Sequence, residues 1–271
     1  MDIYNSKDIL VEDSIFEHNG PVNINKGIAL RGHSGGLSLA FDFREPIAGV
    51  AAILANVINC TFHNNSATAS RRTTQTTNQV LRRFLLTGRG GGCAINMRSV
   101  IPLTITVAGC TFERNFALSF GGGLYFTWTL ISNHIITVAN TSFLENVCKG
   151  GAGGLELGFT TRESEDTVNN QNRFFASDLR FVGNQANYGG GTFYFIGGKT
   201  KSYFFVFGVR HCLLARRVRN GSIGSAGSFR NCVFEGNTAV EYGGAIGLNM
   251  PSFGAIFSNR ENIQPIEFAN W

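Results

Sequence analysis

Six times in 271 residues the chain returns to one short pattern: Phe-x-x-Asn, a short link, a cluster of glycines, then an apolar strand. The pairs are Phe16/Asn19, Phe62/Asn65, Phe112/Asn115, Phe143/Asn146, Phe181/Asn184 and Phe234/Asn237. The glycine clusters that follow them open at Gly35, Gly90, Gly121, Gly153, Gly189 and Gly243. The third copy, ITVAGCTFERNFALSFGGGLYFTW, is the least interrupted. A chain that revisits the same phase this often must place its copies in equivalent surroundings, and few architectures allow that.

Successive phenylalanines are 46, 50, 31, 38 and 53 residues apart. A helical solenoid would hold its period more tightly and show a 3.6-residue rhythm. Here the local rhythm is two: Ile105, Val107 and Gly109 alternate with Thr106, Ala108 and Cys110. The strands are rich in Phe, Val, Ile, Thr and Tyr, as strands should be. Length varies in polar inserts such as SRRTTQTT at 70–77 and TTRESEDTVNNQNR at 160–173. Constant strands with variable loops imply the stacked coils of a parallel β-helix. An antiparallel sandwich would want short Asn-Gly or Asp-Gly turns at even spacing, and Gly-Gly dominates instead.

In such a stack, like residues of neighbouring coils lie about 4.8 Å apart. The twelve Phe and Asn residues named above should therefore form two structural ladders, one of buried amides and one of aromatic rings. Each unpaired buried amide would cost about 1–3 kcal/mol, and stacking satisfies it. Asn at a turn also tolerates the left-handed conformation, and glycines are expected to provide positive-φ corners before the next strand.

The hydrophobic fraction is 43% and the charged fraction 15%, which excludes a disordered chain. A net charge of +5 is too mild to argue for nucleic acid as a partner. No apolar run reaches the roughly 18 residues of a membrane helix, so membrane attachment is expected only through segments outside this chain. The start has no basic and apolar leader pattern and already reads as repeat. Residues 1–271 are expected to be a single β-helix domain, a fragment of a longer protein.

These residues resemble the repeats of chlamydial polymorphic outer-membrane proteins, which pair Phe-x-x-Asn with Gly-Gly-Ala-Ile/Leu/Val. VFEGNTAVEYGGAIGL, Val233 to Leu248, carries both halves; the other copies match the glycine half loosely. The resemblance implies an all-β, right-handed parallel β-helix of the pectin-lyase-like kind, here with about six coils. It implies an extracellular or cell-surface location, in the outer membrane if bacterial. It also implies a non-enzymatic role in presenting loops to a surface glycan or protein. The alternative is a polysaccharide-active lyase or hydrolase of the β-helix class.

Local motifs yield to the repeat. Gly32-His33-Ser34-Gly35-Gly36 matches the nucleophile elbow of serine hydrolases. However, Leu37 to Phe41 alternates as a strand at the phase that follows the glycines in the other copies. Sugar-cleaving β-helices need clustered acids. The cluster here, Glu163, Glu165 and Asp166, lies in a polar insert. No catalytic residue is assigned. The six cysteines lack metal-ligand spacing, so no metal or cofactor is expected. Cys60, Cys110 and Cys232 share the inward phase of the phenylalanines and should be reduced core residues. Arg71, Arg72, Arg82 and Arg83 mark a basic insert suited to an anionic ligand, with Arg89 beside them and Arg216, Arg217 and Arg219 as a second basic spot. Glycosylation sequons occur at Asn59, Asn64, Asn140 and Asn220, no more often than chance provides.

Overall fold

A computed structural model describes residues 1–20, 34–68, 88–128, 133–159, 172–187, 193–196, 203–208, 211–217, 223–240, 246–249, 258–259 and 262–265. Among these residues there is no helix. The chain winds through four strands per turn and stacks the turns in parallel, as a β-helix solenoid. One coil shows the path. Cys93–Ser99 lies in the first sheet, Leu103–Ala108 in the second, Thr111–Glu113 in the third and Phe116–Ala117 in the fourth. Leu124–Trp128 then returns to the first sheet beside Cys93–Ser99.

The third sheet has six strands, from Ile15–Glu17 to Val233–Glu235, and each carries one motif phenylalanine. Successive strands pair Phe with Phe. The six rings form one file, with centroids 4.6–5.1 Å apart and planes within 7° of parallel. Offset stacking of this kind adds about 0.5–1.5 kcal/mol per pair beyond the burial itself.

The asparagines form the second file. In each inner copy the Asn amide nitrogen donates in two directions. Asn115 Nδ2 donates to Asn146 Oδ1 in the next coil (3.0 Å) and to the Phe62 carbonyl in the previous coil (2.8 Å). Asn115 Oδ1 accepts from the backbone N–H and Nδ2 of Asn65, both at 3.0 Å. The same set recurs along the ladder from Asn19 to Asn237. Asn65, Asn115, Asn146 and Asn184 are fully buried, yet their amides keep all their partners. The motif phenylalanine thus contributes twice: its ring to one ladder and its carbonyl to the other.

The left-handed turn residue is not the motif asparagine but the residue before it: His18, Asn64, Arg114, Glu145, Gly183 and Gly236 all have φ between 51° and 64°. The asparagine is instead held by its amide contacts. A second left-handed position lies three residues before each phenylalanine, at Asp13, Asn59, Gly109, Asn140, Asp178 and Asn231. Between these two corners the coil has constant length. The inserts, counted along the chain, fall elsewhere, between a fourth-sheet strand and the first-sheet strand that follows it and between that strand and the second sheet. One is an antiparallel pair, Tyr203–Gly208 with His211–Arg217, which joins the edge of the second sheet beside Ile223–Arg230. Its backbone groups pair with an edge that would otherwise be open.

The glycine pair also has a different reason from the expected one. Gly90 and Gly121 do have positive φ, but Gly91, Gly92, Gly122 and Gly123 do not. They are needed for close approach. A Cβ on Gly122 would overlap the Gly153 carbonyl and lie 2.7 Å from the Val147 carbonyl oxygen. A Cβ on Gly92 would come within 2.8 Å of the Phe112 ring, and one on Gly123 within 3.1 Å of the Phe143 ring. Gly36, Gly92 and Gly123 thus clear space for the phenylalanines of their own coils, Phe62, Phe112 and Phe143, which couples the glycine half of the repeat to the phenylalanine half.

Gly122→Val is expected to lower the melting temperature far more than Ser34→Ala, measured by thermal unfolding followed by circular dichroism; equal shifts would contradict the close-approach role. Asn115→Ala should cost about 3 kcal/mol or more in denaturant unfolding, because it leaves several buried groups unpaired. Asn115→Asp should be as damaging despite its matching shape, since a carboxylate cannot donate to Phe62 and Asn146. A near-neutral aspartate would show that the donor half of the ladder is dispensable.

Candidate functional site

The inward Phe and Asn columns repeat one residue in every coil, but the outward columns of the third sheet do not. The position after the motif phenylalanine reads Glu17, His63, Glu113, Leu144, Val182 and Glu235 in register. The next position reads His18, Asn64, Arg114, Glu145, Gly183 and Gly236. Arg114 links two coils on this face, with Nε 2.8 Å from Glu145 and Nη1 3.6 Å from Glu113. The Glu145 carboxylate holds the Arg114 guanidinium more firmly protonated than usual. The outer face of the second sheet is the other broad surface. Asn56, Thr106, Thr137 and Phe175 form one row in register, and Leu54, Thr104, Ile135 and Arg173 another. Leu54 and Phe175 are exposed, so the face combines hydroxyls with accessible apolar side chains.

The first sheet hides one row of its outward positions. Ser38, Ala94, Tyr125 and Glu156 occupy one such row, and all four are buried. The Arg89 guanidinium sits over the rings of Phe120 and Tyr125, at 5.4 and 5.7 Å from their centroids. Arg89 is therefore part of this corner rather than a solvated loop charge. Glu156 Oε2 accepts the backbone N–H groups of Gly121 (2.8 Å) and Ala152 (2.9 Å). Its Oε1 is buried without a hydrogen-bond partner, as is Arg89 Nε. Desolvation raises the Glu156 carboxyl to about 8, outweighing the two N–H donors and Arg89. It also raises Tyr125, and it raises Cys148, whose thiol feels Glu156 as well. Nothing in the residue pattern marks Glu156: a strand of period two places it on the outward side, where a carboxylate is expected to meet water.

Ser34 is no nucleophile in an elbow. Its hydroxyl donates to the Gly90 carbonyl (3.0 Å), with the Gly92 carbonyl 3.2 Å away, and so ties one coil to the next. The basic insert residues Arg71, Arg72, Arg82 and Arg83 lie outside the described residues, as do Glu163, Glu165, Asp166 and Arg219; for Arg216 and Arg217 only the backbone is described. Cys60, Cys93, Cys110, Cys148 and Cys232 are free thiols, four of them buried. Burial pushes Cys110 up to about 12. Cys60 and Cys110 face inward as expected, each with a carbonyl two residues earlier in reach of its Sγ, and Cys232 is half-buried. Three of the sequons, at Asn59, Asn64 and Asn140, fall on left-handed corners, so turn geometry already accounts for those asparagines. One group of side chains brings three metal-type donor atoms together: Glu17, His18 and His63, whose ligand atoms lie within 4.8 Å of one another.

Residues 231–248 match the Chlamydia polymorphic membrane protein repeat. The chain carries repeats of this type. The matched segment contains the sixth phenylalanine and asparagine and the last glycine pair. No curated protein and no solved structure gives a significant match.

Glu156 sets a pH dependence for the fold. Between its ordinary value of 4.5 and about 8 the folded chain keeps a proton that the unfolded chain releases. Stability should then fall as pH rises through that window, by about 1.4 kcal/mol per pH unit. Urea unfolding at pH 5 and pH 8.5 should show this loss in the native sequence and a flatter profile in Glu156→Gln. Parallel profiles for the two proteins would contradict it.

Proposed function

We propose that the chain is a non-enzymatic, surface-exposed repeat module whose outer faces serve adhesion or recognition of a surface glycan or protein. The carrying observation is the contrast between columns. Inside, Phe and Asn repeat in every coil because each residue contacts its own copy. Outside, the same strands present Glu, His, Leu and Val in turn. A scaffold held by repeated Phe and Asn ladders, with a varied exterior, suits recognition, in which function resides in displayed side chains. The match to a membrane protein repeat supports a location at the cell surface, extracellular or in an outer membrane. The second-sheet face, with Leu54, Thr104, Thr106, Thr137 and Phe175, combines apolar and hydroxyl groups, with the charges of Asp8 and Arg173 in the Leu54 row, a mixture suited to contact with a partner.

The polysaccharide-active alternative would need carboxylates free to act as acid and base. On the third-sheet face Glu113 and Glu145 are both drawn to Arg114, which favours a structural role for them.

Beads coated with the full chain should attach saturably to cultured cells, and the double variant Leu54→Lys, Phe175→Glu should reduce attachment several-fold while leaving the melting temperature in place. Antibodies to the chain should label intact cells of the source organism. Release of reducing ends from polygalacturonate, or the absence of any attachment above uncoated beads, would overturn the proposal.

A further inference from the structure

We infer that Glu17, His18 and His63 form a binding site for a divalent transition-metal ion of the zinc class, on the outer corner where the first two coils meet. Glu17 and His63 face each other across the parallel pairing of Ile15–Glu17 with Thr61–His63. His63 Nδ1 lies 3.2 Å from Glu17 Oε1, and His18 Nε2 lies 3.3 Å from the same oxygen. Tetrahedral zinc binds His nitrogen and carboxylate oxygen at about 2.0–2.2 Å. In that geometry two donors of one ion are about 3.3 Å apart, 1.6 times the bond length. The two observed separations match that edge. The third, between the imidazole nitrogens, is within 4.8 Å and shortens by rotation of the exposed His18 side chain.

The donor types select the ion. Calcium and magnesium take arrays of oxygen ligands, whereas two imidazoles and one carboxylate suit zinc, with water in the fourth position. The backbone supports the set from both coils. His18 occupies the left-handed corner at φ 52°, next to Glu17 and directly before the asparagine that begins the amide ladder. The rings of His18 and His63 meet edge to face at 5.9 Å, 70° apart. The side chains are accessible: His63 is 24% exposed, Glu17 50% and His18 67%. The neighbouring Asn64 amide, 3.4 Å from His63 Nδ1, is a weak contact that an ion can displace. In the next coil the same phase holds Glu113 and Arg114, which lack an imidazole, so the set occurs at this junction alone among the described residues.

These donors have no ligand spacing along the chain, because His18 and His63 are a whole coil apart. They meet because the coil returns to the same phase.

Isothermal titration of the full chain with Zn²⁺ alone should show saturable binding that includes one equivalent lost in His63→Ala and in His18→Ala. Glu17→Gln should weaken that equivalent by about tenfold. Glu113→Gln, in the same column one coil along, should retain it. Substitution by Co²⁺ should give the visible absorption of a tetrahedral ion in the native chain, absent in the histidine variants. Circular dichroism of the four variants should match the native chain, since all the altered side chains are on the outer face. No saturable zinc binding, or binding that both histidine variants retain, would overturn the site.

Discussion

The amide ladder is the constraint on which the rest of this molecule depends. Each buried asparagine gives one hydrogen to the next coil's oxygen and the other to the previous coil's phenylalanine carbonyl. Neither partner is available if a coil slips by one residue, and a slip would also turn the whole strand inside out. The ladder therefore sets the register of the third and fourth sheets. It also explains why the run from the first left-handed corner to the asparagine has constant length. Variation in length is then confined to the passages into and out of the first sheet. There an insert lengthens the path without shifting the ladder, as the antiparallel pair at Tyr203–Gly208 and His211–Arg217 illustrates. Loop closure grows slowly with loop length, so such inserts cost little.

The same periodicity separates two kinds of position. Inward side chains are constrained by their own copies above and below, so phenylalanine, asparagine and the small column of Ala67, Ala117, Cys148 and Ala186 recur. Outward side chains are constrained only by solvent and by whatever they meet, so they diverge. The buried row of Ser38, Ala94, Tyr125 and Glu156 falls between these cases. It points outward by strand phase but is covered by the corner that carries Arg89 and Phe120. Glu156 serves that corner as a cap would: one carboxyl oxygen accepts two backbone N–H groups that have no strand partner. A glutamine would offer the same acceptor, so the carboxyl contributes titration in addition to the hydrogen bonds.

What could be read from the sequence follows from this division. The parallel solenoid, its six coils and both ladders were legible because each contact joins identical residues at a repeating phase. The role of the asparagine was only half legible. The left-handed residue is its predecessor, which varies between His18, Asn64, Arg114 and Gly183 and so leaves no signature. Close approach by Gly122 and Gly92 looks the same in sequence as a positive-φ turn, because both demand glycine. Glu156 and the Glu17, His18 and His63 group were not legible at all. Their partners lie a coil away at positions that do not repeat, and the distance along the chain depends on inserts of arbitrary length.

A surface built this way has discrete geometry. Residues at one phase in neighbouring coils are separated by the strand spacing, about 4.8 Å, and side chains close that gap by leaning toward each other. The separation is right for an ion pair, as in Arg114 with Glu145, and for two donors sharing one ion, as in Glu17 with His63. It is set by backbone hydrogen bonds rather than by the side chains themselves, so exchanging the outward residues changes the chemistry without altering the spacing. Surface chemistry in this fold therefore arises from the order in which residue types follow one another along a column. That order is free to change because the ladders inside do not depend on it.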